Sequence, residues 1–149
     1  MAQVFSANNP PASSAHGLSF LAIRPVHQAY LLLHIGFAGL PIIAGLDKFC
    51  HVLANWDAYL APVVTRIFPV SPHAFMMLVG VIEIVAGLIV AFRPRIGAWI
   101  VAFWLWGIII NLLLVPGFYD VALRDFALSL GAIALARLSL DFDARPLGI

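Results

Sequence analysis

The chain has 149 residues, of which 63% are hydrophobic and 10% charged, with a formal net charge of +1. Soluble domains carry about 25% charged residues, so seven acids and eight bases cannot dress a water-facing surface of this size. A net charge this small provides no field to hold nucleic acid, and the single cysteine, Cys50, excludes an internal disulfide and any cysteine-built structural metal or iron–sulfur site.

Residues 1–27 contain Pro10 and Pro11, several Ser and Asn, and no apolar stretch of signal-peptide length. They read as a flexible cytoplasmic arm, with Phe20, Leu21 and Ile23 able to rest on the membrane surface and the first spanning helix acting as an uncleaved insertion signal. Apolar runs of bilayer length follow at 29–49, 74–92, 97–115 and 121–138. Breakers fill the gaps: Pro62, Pro69 and Pro72 before the second run, Arg93-Pro94-Arg95 after it, and Pro116-Gly117 before the fourth. Period-two alternation is missing, which rules out a barrel and leaves helices. The expected fold is an all-α membrane protein, a four-transmembrane-helix up-down-up-down bundle over residues 28–141 with a short tail at 142–149. In the connection between the first two helices, Val52, Leu53, Trp56, Tyr59, Leu60, Val63 and Val64 recur at helical spacing. That pattern predicts a short amphipathic helix in the membrane interface, either a packed connector or a lid.

Arg24, Arg93, Arg95, Arg137 and Arg145 fall on one side of this topology, and Lys48, Arg66 and Arg124 on the other. Positive charge favours the cytoplasm, so both termini are expected there.

Glu83 lies near the middle of the second run, about 13 Å from its outer end at 1.5 Å per residue. An acid at that depth costs about 2.5–3.5 kcal/mol on insertion scales and requires a partner. Gly80 and Gly87 share its helix face, so Glu83 should point toward a closely packed neighbour. Partners available in the outer half are Lys48 beside Asp47, Asn111 on a face with Trp104 and Gly107, and Arg124 with Asp125. The cluster reads either as an internal fastening of the bundle or as a polar pocket for a headgroup or protons. His34 stands inside the first span with no second histidine at its depth, so no bis-histidine haem is expected. Asp47 and His51 could share a face with Cys50 adjacent and His73 on the same side, but no metal site is assigned to them. Trp99, Phe103, Trp106 and Ile110 form a stripe suited to lipid, partner helices or an aromatic ligand. Pro41 is expected to kink the first span and free a carbonyl near the cluster.

The stretch Ala44-Gly45-Leu46-Asp47-Lys48-Phe49 resembles the G-x-x-K-type signature of the DoxX-like membrane family. Tyr59-Leu60-Ala61-Pro62 in the loop, Glu83 to Gly87 in the second helix (an E-x-x-x-G element), Arg124-Asp125 and Ser139-Leu140-Asp141 extend the likeness over residues 29–142. The resemblance implies a four-helix bundle in a bacterial inner membrane, linked to redox systems. Some members resemble the membrane subunit of thiosulfate:quinone oxidoreductase, and others associate with soluble oxidoreductases. Lys48, Glu83 and Arg124 would belong to the shared polar core. With no intrinsic cofactor, the chain is not expected to be an independent oxidoreductase. The leading expectation is a membrane subunit that binds a quinone or lipid-like molecule, with Glu83 and His51 exchanging protons. Lys48, Asn111, Arg124 and Trp104 would contact the ligand, and Asp47 and Asp125 would complete the network. The alternatives are an accessory or scaffold subunit of a larger membrane complex, or small-solute transport by a homo-oligomer; lipids and a protein partner are expected in either case.

Overall fold

The computed structural model describes residues 13–143, with side chains from 25 to 142. Helix α1 spans Ser13–Cys50, α2 Pro62–Ile67, α3 Pro72–Phe92, α4 Pro94–Leu113 and α5 Tyr119–Asp143, with a 3₁₀ turn at Trp56–Tyr59 between α1 and α2. No strand occurs among the described residues. Three helical stretches are long and apolar enough to cross a membrane: Pro25–Cys50, Pro72–Phe92 and Pro94–Leu113. Helix α5 matches them in length, but it carries Asp120, Arg124 and Asp125 in its first two turns and Arg137 and Asp141 in its last two.

Helix α1 begins within the stretch expected to be a flexible arm and continues through Pro25 and Pro41. Hydropathy marks where lipid contact starts, whereas a helix needs only the absence of breakers, and no proline stands between Pro11 and Pro25. Residues 1–12 and 144–149 lie outside the described residues. The interfacial helix expected over 52–64 is replaced by two short pieces. Proline pushes the residue before it out of the helical region, and Ala61 is accordingly extended at φ −66°, ψ 135° ahead of Pro62. The apolar spacing is therefore cut into the 3₁₀ turn and the six-residue α2.

Ser71 caps α3, its hydroxyl accepting from the Ala74 N–H at 3.2 Å. Arg93 closes α3 and Pro94 opens α4, which makes the tight hairpin that the Arg-Pro-Arg stretch predicts. Gly117, at φ +97°, turns the chain into α5.

Helix α1 packs along α3 and α4 along α5, while α3 against α4 joins the two pairs. Small residues set the approach. A side chain at Gly80 would begin 2.7 Å from the Gly45 carbonyl oxygen, and one at Gly87 would begin 2.7 Å from the Ala38 oxygen. Ala98 and Ala102 of α4, with Ala132 and Ala136 of α5, fill the core around Val90, Val101 and Leu135. Leu32, Ile35, Ile43 and Leu46 of α1 face outward, as a lipid-facing surface requires.

His34 has a specific structural use. In an uninterrupted helix the Val90 carbonyl would accept from residue 94, but Pro94 has no N–H. His34 Nε2 lies 3.0 Å from that oxygen. A carbonyl only accepts, so Nε2 is the protonated nitrogen, and α1 satisfies a backbone group that the α3–α4 hairpin leaves open. His34→Leu is expected to lower stability in detergent by about 1–3 kcal/mol, because it strands this buried acceptor. An unfolding midpoint equal to that of the parent would refute the assignment.

Gly80→Ala should destabilise by about 1–3 kcal/mol despite alanine's better helix propensity, since the new methyl meets the rigid Gly45 carbonyl. Gly107 has nothing within 4 Å of the corresponding position, so Gly107→Ala serves as the control and should not lose stability. Thermal unfolding of the two variants side by side measures the difference.

Candidate functional site

The C-terminal end of α1, the first half of α3, the end of α4 and the start of α5 converge on one polar region. Lys48 stands in the last turn of α1 and Glu83 midway along α3. The glycine contact explains how they meet. Lys48 Cβ lies 3.2 Å from where a Gly80 side chain would begin, so the lysine stem runs over the glycine and delivers its ammonium one turn deeper. Nζ reaches Glu83 Oε2 at 2.5 Å. Both residues are buried, 4% and 7% exposed.

The connector roofs this pair. Asp47 accepts hydrogen bonds from the Val52 and Leu53 N–H groups at 3.0 Å and from the Trp56 indole at 2.7 Å. Trp56, held this way, places its ring face 3.9 Å from the Lys48 ammonium. Asn111 anchors the next stretch: its Oδ1 accepts from the Ala61 N–H at 2.9 Å, and its Nδ2 donates to the Tyr59 carbonyl at 2.7 Å. The Tyr59 ring packs on Phe118, centroids 4.6 Å apart, just before α5 begins.

Beside the ion pair, a cavity of about 660 Å³ lies between the helices. Phe37, Met76, Leu105 and Ile108 contribute to its apolar wall, and Lys48, Glu83 and Asp125 to its polar end. Trp104 also lines it, with its indole Nε1 buried beside the Glu83 carboxylate. Ligand cavities commonly fall near 300–1,000 Å³ and combine an apolar wall with a few convergent polar groups.

The expected site residues separate into three groups. Lys48, Glu83 and Trp104 come together at the cavity. Asp125 joins them there, within electrostatic reach of Lys48, Glu83 and Arg124. Asp47 and Asn111 hold the connector, Asp47 through Trp56 and Asn111 through the backbone, and Asn111 also lines the cavity. Arg124 is not the partner of Glu83. It edges the cavity, largely exposed, and pairs with Asp120 at 3.8 Å, one turn earlier on the exposed start of α5. His51 does not line the cavity. It sits at φ +53° where the chain leaves α1, stacked on His73 at 5.1 Å. Pro41 lines the cavity within a continuous helix.

Sequence reasoning placed Trp56 and Tyr59 at a membrane interface, in a packed connector or a lid, and did not find the contacts with Asp47 and Lys48 that set Trp56 over the ion pair. The one available signal is Asn55-Trp56-Asp57, which puts hydrogen-bonding residues inside an otherwise apolar spacing.

No protein-family model matches the chain, and no curated protein or solved structure matches it.

Removing one member of a buried ion pair strands the other charge. Lys48→Met should therefore cost about 3–5 kcal/mol, and the Lys48→Met/Glu83→Leu double variant should recover most of the loss. Chemical unfolding in mixed micelles reads both, and an additive double variant would show that the two residues do not act as a pair.

Proposed function

We propose that the chain is a DoxX-like membrane subunit in which α5 forms a fourth span, and that its cavity holds a quinone or a quinone-like lipid serving an associated redox system. The conjunction that carries this reading is an apolar cavity of about 660 Å³ whose polar end holds a buried cation–acid pair with a buried indole N–H beside it. A quinone has the complementary form. Its ring and tail are apolar, and its carbonyl oxygens accept from an ammonium or an indole. The negative charge that develops on those oxygens during reduction is stabilised by a fixed cation, and a carboxyl beside them can pass a proton. Electrons would come from a partner oxidoreductase.

The fourth span rests on the distribution of charge in α5. Its ionised groups lie in the outer turns, where long side chains reach the interface. Between Asp125 and Arg137 there is no charged residue. With Arg93, Arg95 and Arg137 taken as the cytoplasmic side, Lys48 and Glu83 lie in the outer half of a bacterial inner membrane.

Binding of a short-chain ubiquinone to the purified protein, followed by calorimetry, tests the reading. Trp104→Phe keeps the ring and loses the donor, so affinity should fall about three- to tenfold. Glu83→Gln should also shift affinity. Parent-like binding in both variants, or no binding by the parent, would remove the cavity from the proposal.

A scaffold role has one observation of its own: Trp99, Phe103, Trp106 and Ile110 all face outward from α4. A partner complex that survives Glu83→Gln but dissociates on Trp106→Ala would favour that role.

A further inference from the structure

Outside the cavity, a second cluster forms where three elements meet: His51 just past α1, Asp57 on the 3₁₀ turn and His73 in the first turn of α3. One ligand atom from each lies within 4.8 Å of the other two. We propose that His51, Asp57 and His73 form a binding site for a first-row divalent cation of the zinc type, independent of what the cavity holds.

Three observations support the site. His51 Nε2 and Asp57 Oδ1 are both buried and have no hydrogen-bond partner among the described residues. These two atoms face each other at 3.9 Å, too far for a hydrogen bond. Two ligands each bonded at about 2.0–2.2 Å to a common ion stand about 3.4 Å apart in a tetrahedral site, so a shift of a few tenths of an ångström closes the geometry. His73 Nδ1 lies 3.4 Å from the other oxygen, Asp57 Oδ2, with its side chain half exposed.

The donor set points to the metal class. Two imidazoles and one carboxylate suit zinc and its first-row neighbours, whereas magnesium and calcium prefer oxygen ligands alone. Three protein ligands leave at least one position for water, and the partial exposure of all three residues allows entry from solvent. Local structure already fixes part of the site. The turn that carries His51 is held by the hydrogen bonds from Val52 and Leu53 to Asp47, so the left-handed conformation that aims the imidazole back toward α3 is stabilised before any ion binds. An ion there would tie together the end of α1, the roof and the start of α3.

Untagged full-length protein in detergent, stripped with a chelator, would be titrated with Zn²⁺ against a chromophoric competitor. One Zn²⁺ per chain is expected, and excess Mg²⁺ should not displace it. His73→Ala alters an exposed residue, and His51→Gly keeps the positive φ that glycine adopts freely. Each should weaken binding by at least about tenfold while helical circular dichroism is unchanged. Lys48→Met should leave zinc affinity within about twofold, which separates this site from the cavity. No stoichiometric binding by the parent, or binding that survives both histidine substitutions, would overturn the proposal.

Discussion

The structure is organised around one contact, the buried ion pair of Lys48 and Glu83. Neither residue could remain charged alone among apolar helices, because bringing an ion out of water costs several kcal/mol even after relaxation. Together they impose conditions on everything nearby. The ammonium reaches the carboxylate only because Gly45 and Gly80 let α1 and α3 approach until backbone meets backbone. Its outer face is covered by the ring of Trp56, and that ring is held by Asp47, the neighbour of Lys48 in sequence. A change at Asp47, Gly80 or Trp56 therefore bears on the pair without touching the Glu83 carboxylate. The pair is better understood as specifying register than as a source of net stability, since buried ion pairs often contribute little over apolar replacements.

Backbone accounting explains most of the remaining polar residues. An apolar surrounding offers no water to unpaired carbonyl and amide groups, so each one must find a partner within the protein. Prolines create the deficits and side chains settle them. Pro94 leaves the Val90 carbonyl open and His34 takes it. Pro62 breaks the connector, and Asn111 satisfies both the Tyr59 carbonyl and the Ala61 amide beside the break. The turn after α1 leaves two amides, and Asp47 accepts both. Ser129 and Ser139 donate to carbonyls within their own helix. After this allocation, the buried polar atoms with least to hold them among the described residues fall at two places: the Trp104 indole, with only the Glu83 carboxylate beside it at the cavity, and His51 Nε2 with Asp57 Oδ1 at the histidine cluster. Residues whose hydrogen bonds are already made have little left to give a ligand, and those with open valences are where ligand chemistry remains possible.

How far this was legible from sequence depends on the range of the interaction concerned. The existence of the long helices, and the approximate extent of α3 and α4, followed from run length and from Pro72, Pro94 and Pro116, because both are local properties. The inward direction of Glu83 followed from Gly80 and Gly87, since helical periodicity fixes which residues share a face. The choice of Lys48 over Arg124 as partner did not follow. It depends on how far α1 slides along α3, and that is set by contacts between residues 35 positions apart. Asn111 was recognisable as a buried polar residue, but its target is the backbone of a connector whose path no local rule supplies. The connector itself was misread for a definite reason. Spacing alone suggested one amphipathic helix, yet Pro62 and the reversal at His51 divide it, and local backbone chemistry overrode the apolar pattern.

The two ligand-capable places are not separate in the chain. Both use the 3₁₀ turn Trp56–Tyr59. Side chains on such a turn advance by about 120° per residue, so neighbours along it point in different directions. Trp56 and Tyr59, three residues apart, share the side that covers the cavity, and Asp57 between them points to His51 and His73. The turn itself is closed only by the Ala58 N–H donating to the Asn55 carbonyl at 3.2 Å and the Leu60 N–H donating to the Asp57 carbonyl at 3.4 Å. What fixes its side chains is therefore their own partners: Asp47 for the Trp56 indole and Phe118 for the Tyr59 ring on one side, the two imidazoles for Asp57 on the other. The two places share a segment of backbone and no side chain, which is why a change at Lys48 bears on the roof and a change at His73 on the cluster.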